Sequence, residues 1–328
     1  MVPFPRNPIR VTCFVGMLAC LACSWGCSRR PTDIRIDGSS TVFPLTAAIA
    51  EEFYYQNPSI RMTVGFSGTG GGMTKFARGE IDICNASRRI KAGEIKTLEE
   101  NGIDYIELEV AFDGLAVILN PQNDWCDCLT VRQLKELWRP ESSITLWSDL
   151  DSSWPDREII LYGPGPDSGT FDYFTEAIVG ESKASRSDYS ASEDDNIIVT
   201  GVSEDEGAMG YFGYAYFEEN KHRLKLMAVD SGDGNCVQPS VESVRTGAYH
   251  PLSRSLFIYA RKSSLANPRV AEFVQFYLDT SARVARDVGY VPVSDDVHRR
   301  NIETLQSALR MLQSSKSLAD GGPQGDAS

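Results

Sequence analysis

Three clusters of serine, threonine and glycine residues each follow a predicted strand and precede a predicted helix. They occupy residues 38–41, 67–72 and 167–170. The first N–H groups of a helix lack intrahelical partners and carry the positive end of the helix dipole, and glycine lets an anion approach the backbone. Any one cluster alone is more typical of a helix cap and a tight turn. Three clusters at the carboxyl ends of strands favour a single tetrahedral anion held by three helix ends.

The segments around the clusters alternate between strand and helix patterns. Apolar residues predict strands over residues 34–37, 61–66 and 81–85, and apolar residues at helical spacing predict helices over 39–54 and 73–78. This βαβαβ order implies a parallel sheet with helices on both faces. The alternation continues through later predicted elements over residues 111–119, 130–137, 158–162, 168–178, 210–217, 224–229, 256–260, 268–278 and 294–312.

The order of these elements predicts two α/β lobes, each a mixed sheet flanked by helices. We expect the chain to cross between them near residue 119 and to return near residue 254. The lobes then comprise residues 32–118 with 255–312, and residues 119–254. Residues 313–328 are rich in Ser, Gly and Asp, which favours a disordered tail. A clamshell of this kind binds its ligand in the cleft between lobes.

Residues 1–27 have the pattern of a targeting segment. A basic start precedes an apolar run over residues 11–22, which is too short to span a bilayer comfortably. Cys20, Cys23 and Cys27 each follow a small residue, as in a lipoprotein signal peptide that is cut before a lipidated cysteine. All three are candidates for lipidation, and an ordinary secretory signal is the alternative. A diacyl anchor would hold the mature protein on a membrane surface.

Four cysteines lie in the body of the chain, where an exported protein can form disulfides. Cys126 and Cys128 are too close in sequence to pair comfortably with each other. We expect a disulfide between Cys128 and Cys236. No metal site is predicted, because the three histidines are scattered and none lies at ligand spacing from a cysteine.

The 328 residues carry a formal net charge of −13, which argues against general nucleic-acid binding. It does not exclude a small anion, because a buried anion site can use backbone N–H groups and a few side chains. Enzyme signatures are weak: the 68–72 segment lacks the Lys-Ser/Thr of a P-loop, and no serine lies in a G-x-S-x-G elbow. We therefore predict a protein that is not an enzyme. An exported phosphate-ester hydrolase would need a metal cluster or an activated nucleophile.

Several motifs resemble those of the PstS-type phosphate-binding proteins of high-affinity phosphate ABC importers, a family of periplasmic substrate-binding proteins. They are residues 36–44, 66–72, 82–88, 167–170 and 251–259, in the family's order over nearly the whole mature chain. The resemblance implies a type II periplasmic-binding-protein clamshell and a dehydrated phosphate held between the lobes. It also implies a monomer without cofactor that works outside the cytoplasm, in the periplasm or at the cell surface, with ABC permease subunits as partners.

Carried over motif by motif, the resemblance implies hydrogen bonds to phosphate from both lobes. The residues concerned are Ser40, Thr41, Val42 (through its main chain), Thr69, Gly70, Ser168, Gly169 and Thr170. In the best-known members an acidic residue follows the Ala-Ser pair and accepts the proton of hydrogen phosphate, and an arginine lies just upstream of Ser-Gly-Thr.

Two departures from that pattern concern charge. Arg88 stands where the acidic residue is expected, and residues 163–166 contain no arginine. We hypothesise that Arg88 supplies the missing cation, because an arginine fork suits a tetrahedral oxyanion. The alternative is that Arg88 is a surface charge. Asp172 and Asp82 are the candidates for the missing proton acceptor, on which discrimination against sulfate depends.

The function predicted from these residues is capture of inorganic phosphate and its delivery to an ABC permease. Binding of another oxyanion, such as sulfate or molybdate, on the same scaffold is an alternative. A phosphate sensor is another, because the sequence of a sensor and of a transport protein would share the same site.

Overall fold

The computed structural model describes residues 34–166 and 168–320. The predicted signal peptide with Cys20, Cys23 and Cys27, and residues 321–328, lie outside the described residues. Within the described part, no helix is both long enough and apolar enough to cross a membrane.

The strands follow the predicted alternation with helices. They are β1 (Ile34–Gly38), β2 (Met62–Val64), β3 (Ile83–Ala86), β4 (Tyr105–Leu119), β5 (Cys128–Thr130), β6 (Ile160–Gly163), β7 (Ser190–Ala191), β8 (Ala208–Gly213), β9 (Lys225–Leu226), β10 (Ala228–Asp230), β11 (Cys236–Val237), β12 (Ser253–Arg261) and β13 (Val291–Pro292).

The helices are α1 (Phe43–Gln56), α2 (Gly68–Ala77), α3 (Ala92–Glu100), α4 (Val131–Trp138), α5 (Trp147–Leu150), α6 (Gly169–Phe174), α7 (Asp195–Glu204), α8 (Tyr214–Asn220), α9 (Val241–Thr246), α10 (Lys262–Leu265), α11 (Pro268–Asp287) and α12 (Asp295–Asp320). A π-helical turn, Thr175–Val179, continues α6.

The main sheet is mixed and has the strand order β2-β1-β3-β12-β4-β8-β6-β7. Strand β1 is parallel to both β2 and β3, which confirms the predicted βαβαβ unit. Strands β12 and β4 are antiparallel to each other in the middle of the order. At the other end, β6 is parallel to β7 and to β8.

Strand β4 joins the two halves of this sheet. Its residues up to Gly114 pair with β12, and Leu115–Leu119 pair with β8. The change of partner thus lies at Gly114, a few residues before the crossing predicted near residue 119. The exact division of the chain into lobes stays a prediction.

Two large apolar clusters lie on either side of that change. One draws its buried residues from 34–111 and 256–308, with Phe53, Phe273 and Tyr277 among the largest. The other draws them from 112–252 and from β13, with Trp138 and Trp147 at 0% exposure. Each half of the sheet therefore has its own core, as expected of a two-lobed protein.

Several helix ends differ from the sequence-based expectation: α1 begins at Phe43 instead of residue 39, and α11 ends at Asp287 instead of residue 278. Helix α2 begins at Gly68, so the glycines predicted as a turn form its first turns. Only glycine fits there, because a Cβ on Gly72 would lie 2.5 Å from the Cα of Gly38. Helix α12 extends to Asp320, into the segment expected to be disordered. No glycine or proline interrupts it before residue 321.

A small separate sheet has the order β11-β10-β5, and the Cys128–Cys236 disulfide joins its outer strands. This is the pairing expected from the sequence. Cys84 and Cys126 are free and buried. Among the described residues, no group of His, Cys, Asp or Glu side chains is arranged to hold a metal ion.

Candidate functional site

A cavity of about 590 Å³ lies between the two halves of the protein. The part of the chain before β4 contributes the first and second Ser/Thr/Gly clusters, Ser87, Arg88 and Lys91 to its wall. The opposite wall is formed by Asp172, Tyr173, Glu176, Ala177, Ser182, His250, Pro251, Ser253 and Arg254. The cavity is therefore lined mostly by hydroxyl groups, glycine backbone and charged side chains.

The first cluster forms the turn from β1 into α1. The Ser39 N–H donates to the Asn85 carbonyl at 2.9 Å, and α1 begins at Phe43 without a side-chain cap hydrogen bond. Val42 is completely buried in the apolar core, so only its main chain can serve a ligand. An uncapped helix start leaves N–H groups that an anion can satisfy.

The second cluster is held in place by Asp37. Its carboxylate accepts hydrogen bonds from the Ser67 N–H at 2.9 Å, the Ser67 hydroxyl at 2.7 Å and the Lys75 ammonium at 2.5 Å. Burial opposes ionisation, but these bonds outweigh it and lower the pKa of Asp37. Asp37 is thus a fixed negative charge that positions the start of α2.

Thr69 joins this cluster to the end of β3. Its hydroxyl accepts a hydrogen bond from the Ser87 N–H at 3.2 Å and also contacts the Ser87 hydroxyl at 3.2 Å. Thr69, Gly70 and Ser87 all line the cavity. Because the Thr69 oxygen is used as an acceptor, the hydroxyl groups of this pair retain hydrogen to donate to a ligand.

The third cluster begins α6 as predicted. Ser168 is the helix cap, and its hydroxyl accepts from the Thr170 N–H at 3.2 Å. Ser168, Gly169 and Thr170 are not among the residues that line the cavity. They nonetheless lie beside the first cluster, because a Cβ on Gly169 would be 3.6 Å from the Cα and Oγ1 of Thr41.

Arg88 lines the cavity but is paired with a carboxylate. Its Nη1 and Nη2 donate to the two oxygens of Glu94 at 2.9 and 2.8 Å, and Nη1 also donates to the Arg89 carbonyl. Burial raises the pKa of Glu94, but the bond from Arg88 and that from the Lys91 N–H outweigh it and lower the pKa. Nε and one N–H of Nη2 are the donors left for a ligand.

The two candidate proton acceptors have different surroundings. Asp82 accepts hydrogen bonds from Arg35, Arg261 and Ser264 and does not line the cavity. Asp172 lines the cavity, and its Oδ1 is buried with no hydrogen-bond partner in the described structure. Burial raises the pKa of Asp172, although Lys183, 3.8 Å away, opposes the shift.

Sequence reasoning did not assign a role to Arg254, which the structure brings into the cavity. Its guanidinium donates to the Thr41 hydroxyl at 2.6 Å and to Asp113 at 3.1 Å, and it lies 3.5 Å from the centre of the Tyr173 ring. The available signal was its position, since it lies at the predicted return crossing between lobes.

Comparisons with known proteins agree with this arrangement. Residues 28–281 match the model of the PBP superfamily domain. The chain is 48% identical over 261 residues to Protein SphX of Synechococcus elongatus, covering 79% of this chain and 77% of that protein. It is 38% identical over 262 residues to the phosphate-binding protein PstS of Staphylococcus saprophyticus, covering 79% and 80%.

A crystal structure of a possible phosphate binding protein from Planctomyces limnophilus has the same fold. Its TM-score to this structure is 0.81 at 46% identity, covering 84% of this chain and 98% of that chain. The chain belongs to the PstS-type phosphate-binding proteins. The type II two-lobed fold expected from the resemblance is thereby confirmed.

Because the chain belongs to the PstS-type family, its two departures in charge can be compared with the family pattern. Arg88 replaces the acidic residue that follows Ala-Ser, and it is neutralised in part by Glu94. The arginine expected upstream of Ser168 is absent from this sequence. Arg254, which comes after Ser168 in the chain, lines the cavity. Different elements of this protein therefore supply the cations Arg88 and Arg254 and the carboxylate of Asp172 to the cavity wall.

Proposed function

We propose that this chain captures inorganic phosphate in the cleft between its lobes and delivers it to the permease of an ABC transporter. The observation that supports the proposal is the approach of Gly169 to Thr41, because it brings the start of α6 close to the segment that precedes α1 at the edge of the cavity. A tetrahedral anion can accept hydrogen bonds from both at once, without a metal or another cofactor. No catalytic step is part of this function.

The proposed ligand set is the one carried over from the family motifs. It comprises Ser40, Thr41, Val42, Thr69, Gly70, Arg88, Ser168, Gly169 and Thr170. Hydroxyl and backbone donors from three short segments, together with the guanidinium of Arg88, would replace the water that phosphate loses on entering the cleft. The lobes that supply them are residues 32–118 with 255–312, and residues 119–254.

Asp172 is the proton acceptor of this proposed site. Its buried Oδ1 accepts no hydrogen bond in the described structure, with only the Lys183 ammonium 3.8 Å away, and a protonated phosphate oxygen could donate to it. Sulfate carries no proton at neutral pH, so it would leave Oδ1 without a partner and place two like charges together. The site is thus expected to favour phosphate over sulfate and molybdate.

Family membership supports a location outside the cytoplasm, and the N-terminal sequence pattern supports the proposal of a lipid anchor. PstS-type binding proteins work outside the cytoplasm, where a binding protein can meet its permease. We propose that Cys20, Cys23 or Cys27 carries a lipid that holds this monomeric protein on the membrane surface. Mass spectrometry of the N-terminal peptide from the native membrane would identify the modified cysteine, and an unmodified, freely released chain would refute the anchor.

Uptake of radiolabelled phosphate tests delivery. A deletion of the gene should lower uptake at low external phosphate, and the wild-type chain should restore it. A chain with Thr41→Val and Thr69→Val should not, because both hydroxyl groups are lost without a change of shape. Unchanged uptake in the deletion, with altered expression of phosphate-responsive genes, would contradict transport and favour the phosphate sensor.

A further inference from the structure

Arg254 lies at the start of β12, where the chain returns between the two halves of the protein. Its side chain is only 14% exposed, and the residue lines the cavity. A cation this deep in a cleft is costly unless its charge and its N–H groups are compensated. The protein provides part of this compensation through hydrogen-bond acceptors for the N–H groups of Arg254.

A guanidinium has five N–H donors. One on Nε and one on Nη2 donate to the same oxygen of Asp113, at 3.2 and 3.1 Å. The second N–H of Nη2 donates to the Thr41 hydroxyl at 2.6 Å. Within the described residues no hydrogen bond runs from Nη1 to an acceptor, so two donors on one nitrogen remain for a ligand.

The hydrogen bond from Arg254 also leaves the Thr41 hydroxyl group available as a donor. The Thr41 hydroxyl oxygen accepts from Arg254, and the Thr41 carbonyl accepts from the Tyr290 hydroxyl at 2.5 Å. The hydroxyl hydrogen and the N–H of Thr41 are therefore the groups left to donate to an anion. Arg254 and Thr41 would then donate to the same ligand.

The plane of the guanidinium is fixed by Tyr173, a neighbour on the same wall of the cavity. Its carbon lies 3.5 Å from the ring centre of Tyr173, and the Tyr173 hydroxyl donates to the Pro251 carbonyl at 2.8 Å. Tyr173 belongs to α6, the helix that begins at Gly169. Stacking on an aromatic ring keeps an arginine oriented for planar recognition of an oxyanion.

We propose that Arg254 binds phosphate directly, as a second cation of the cleft beside Arg88. This inference rests on the proposed function, since it names a further ligand of that site. The two cations differ in which nitrogens are hydrogen-bonded to a carboxylate. Arg88 donates to Glu94 through both Nη1 and Nη2, whereas Arg254 donates to Asp113 through Nε and Nη2 and keeps Nη1 without a partner. Each arginine keeps two N–H donors: those of Arg254 lie on one nitrogen, Nη1, whereas those of Arg88 are divided between Nε and Nη2.

The test is titration calorimetry with inorganic phosphate on the full mature chain. Removing Arg254 alone would leave Asp113 buried and unpaired, so the pair is replaced together as Asp113→Asn with Arg254→Gln. We expect this variant to bind phosphate about 30-fold more weakly or worse, since charge-assisted hydrogen bonds to the ligand are lost. Asp113→Asn alone should bind at least as tightly as the wild type, because it removes a negative charge and keeps Arg254.

Controls separate the possible causes of a loss. Glu52→Gln with Arg283→Gln removes an exposed ion pair of the same charges and should leave affinity unchanged. A wild-type chain that fails to bind phosphate would refute the proposed function itself. Given binding by the wild type, a double variant at Asp113 and Arg254 that binds within threefold of it would overturn the role of Arg254. If that variant does not fold, Arg254→Lys decides: a tenfold loss or more supports the role, and a smaller change overturns it.

Discussion

Gly169 and Thr41 lie close together beside the cavity, since a methyl group on Gly169 would be 3.6 Å from the Cα and Oγ1 of Thr41. The two residues belong to helix starts on opposite sides of the cleft. Their approach places two sets of N–H donors around one small volume. We therefore expect phosphate binding to depend on keeping that volume free of side chains.

Gly169→Ala should weaken phosphate binding by about tenfold or more, because its methyl group would occupy the space between the two helix starts. The protein should be at least as stable, since alanine is the better residue inside a helix. Calorimetric titration and thermal unfolding measure the two effects. Gly93→Ala is the matched control, in the first turn of α3 with open space around its Cα. Equal affinities for the Gly169→Ala variant and the wild type would mean that the anion does not bind between these helices.

Asp172→Asn should reduce the preference for phosphate over sulfate by about tenfold or more, because an amide can donate to sulfate where the carboxylate repels it. Both affinities are measured by titration at one pH. Glu176→Gln is the control, since it removes a negative charge from the same wall at an exposed position. It should change the affinities for the two anions alike. An unchanged ratio for Asp172→Asn would show that another group accepts the proton.

Loss of the Cys128–Cys236 disulfide should lower the free energy of unfolding by about 2–4 kcal/mol, because the bond closes a long loop in the unfolded chain. Denaturant unfolding of Cys128→Ser with Cys236→Ser, and of the wild type with reductant, measures this. Neither residue lines the cavity, so phosphate affinity should remain within about threefold of the wild type. A large loss of affinity in a folded variant would contradict the separation of this sheet from the site.

Ionised Asp195 should lower the free energy of unfolding above about pH 6. Burial, with Asp194 and Glu193 nearby, raises the pKa of Asp195 to about 6. Because the folded chain holds this proton more tightly than the unfolded chain, the stabilisation is present at low pH and is lost as the pH rises through about 6. Asp195→Asn should therefore add about 1 kcal/mol at pH 7.5 and little at pH 4, after allowance for partial exposure.

Denaturant unfolding at these two pH values tests the role of Asp195. Asp156→Asn, at an exposed loop position, should change stability by less than about 0.5 kcal/mol at either pH. A gain from Asp195→Asn at pH 4 that equals the gain at pH 7.5 would contradict the account, because it could not come from a titrating carboxyl.

Local sequence patterns predicted the strands and helix starts that depend mainly on neighbouring residues. The strands β1 and β3 and the start of α6 follow from apolar spacing and from a capping residue, whereas α1, expected from residue 39, begins at Phe43 without a side-chain cap. The start of α2 did not follow, because glycine disfavours helix and the pattern indicated a turn. A close contact between Gly72 and Gly38, which lie far apart in sequence, overrides that preference.

The charges of the site could be predicted only in part. Arg88 lies in the cavity as the motif implied, but its bidentate pair with Glu94 depends on how α3 packs. Arg254 and Asp113 face each other in the antiparallel register of β12 and β4. They are 141 residues apart, so no local pattern relates them. The part of the site that depends on strand register had to be found in the structure.

Calorimetric titration of the dialysed mature chain with phosphate, with sulfate in parallel at two pH values, tests the central claim most directly. We predict binding of one phosphate per chain and little or no heat with sulfate at either pH, because Asp172 accepts a proton that only phosphate carries. Equal binding of both anions would contradict the selectivity assigned to Asp172. No binding of phosphate at either pH would contradict the proposed function.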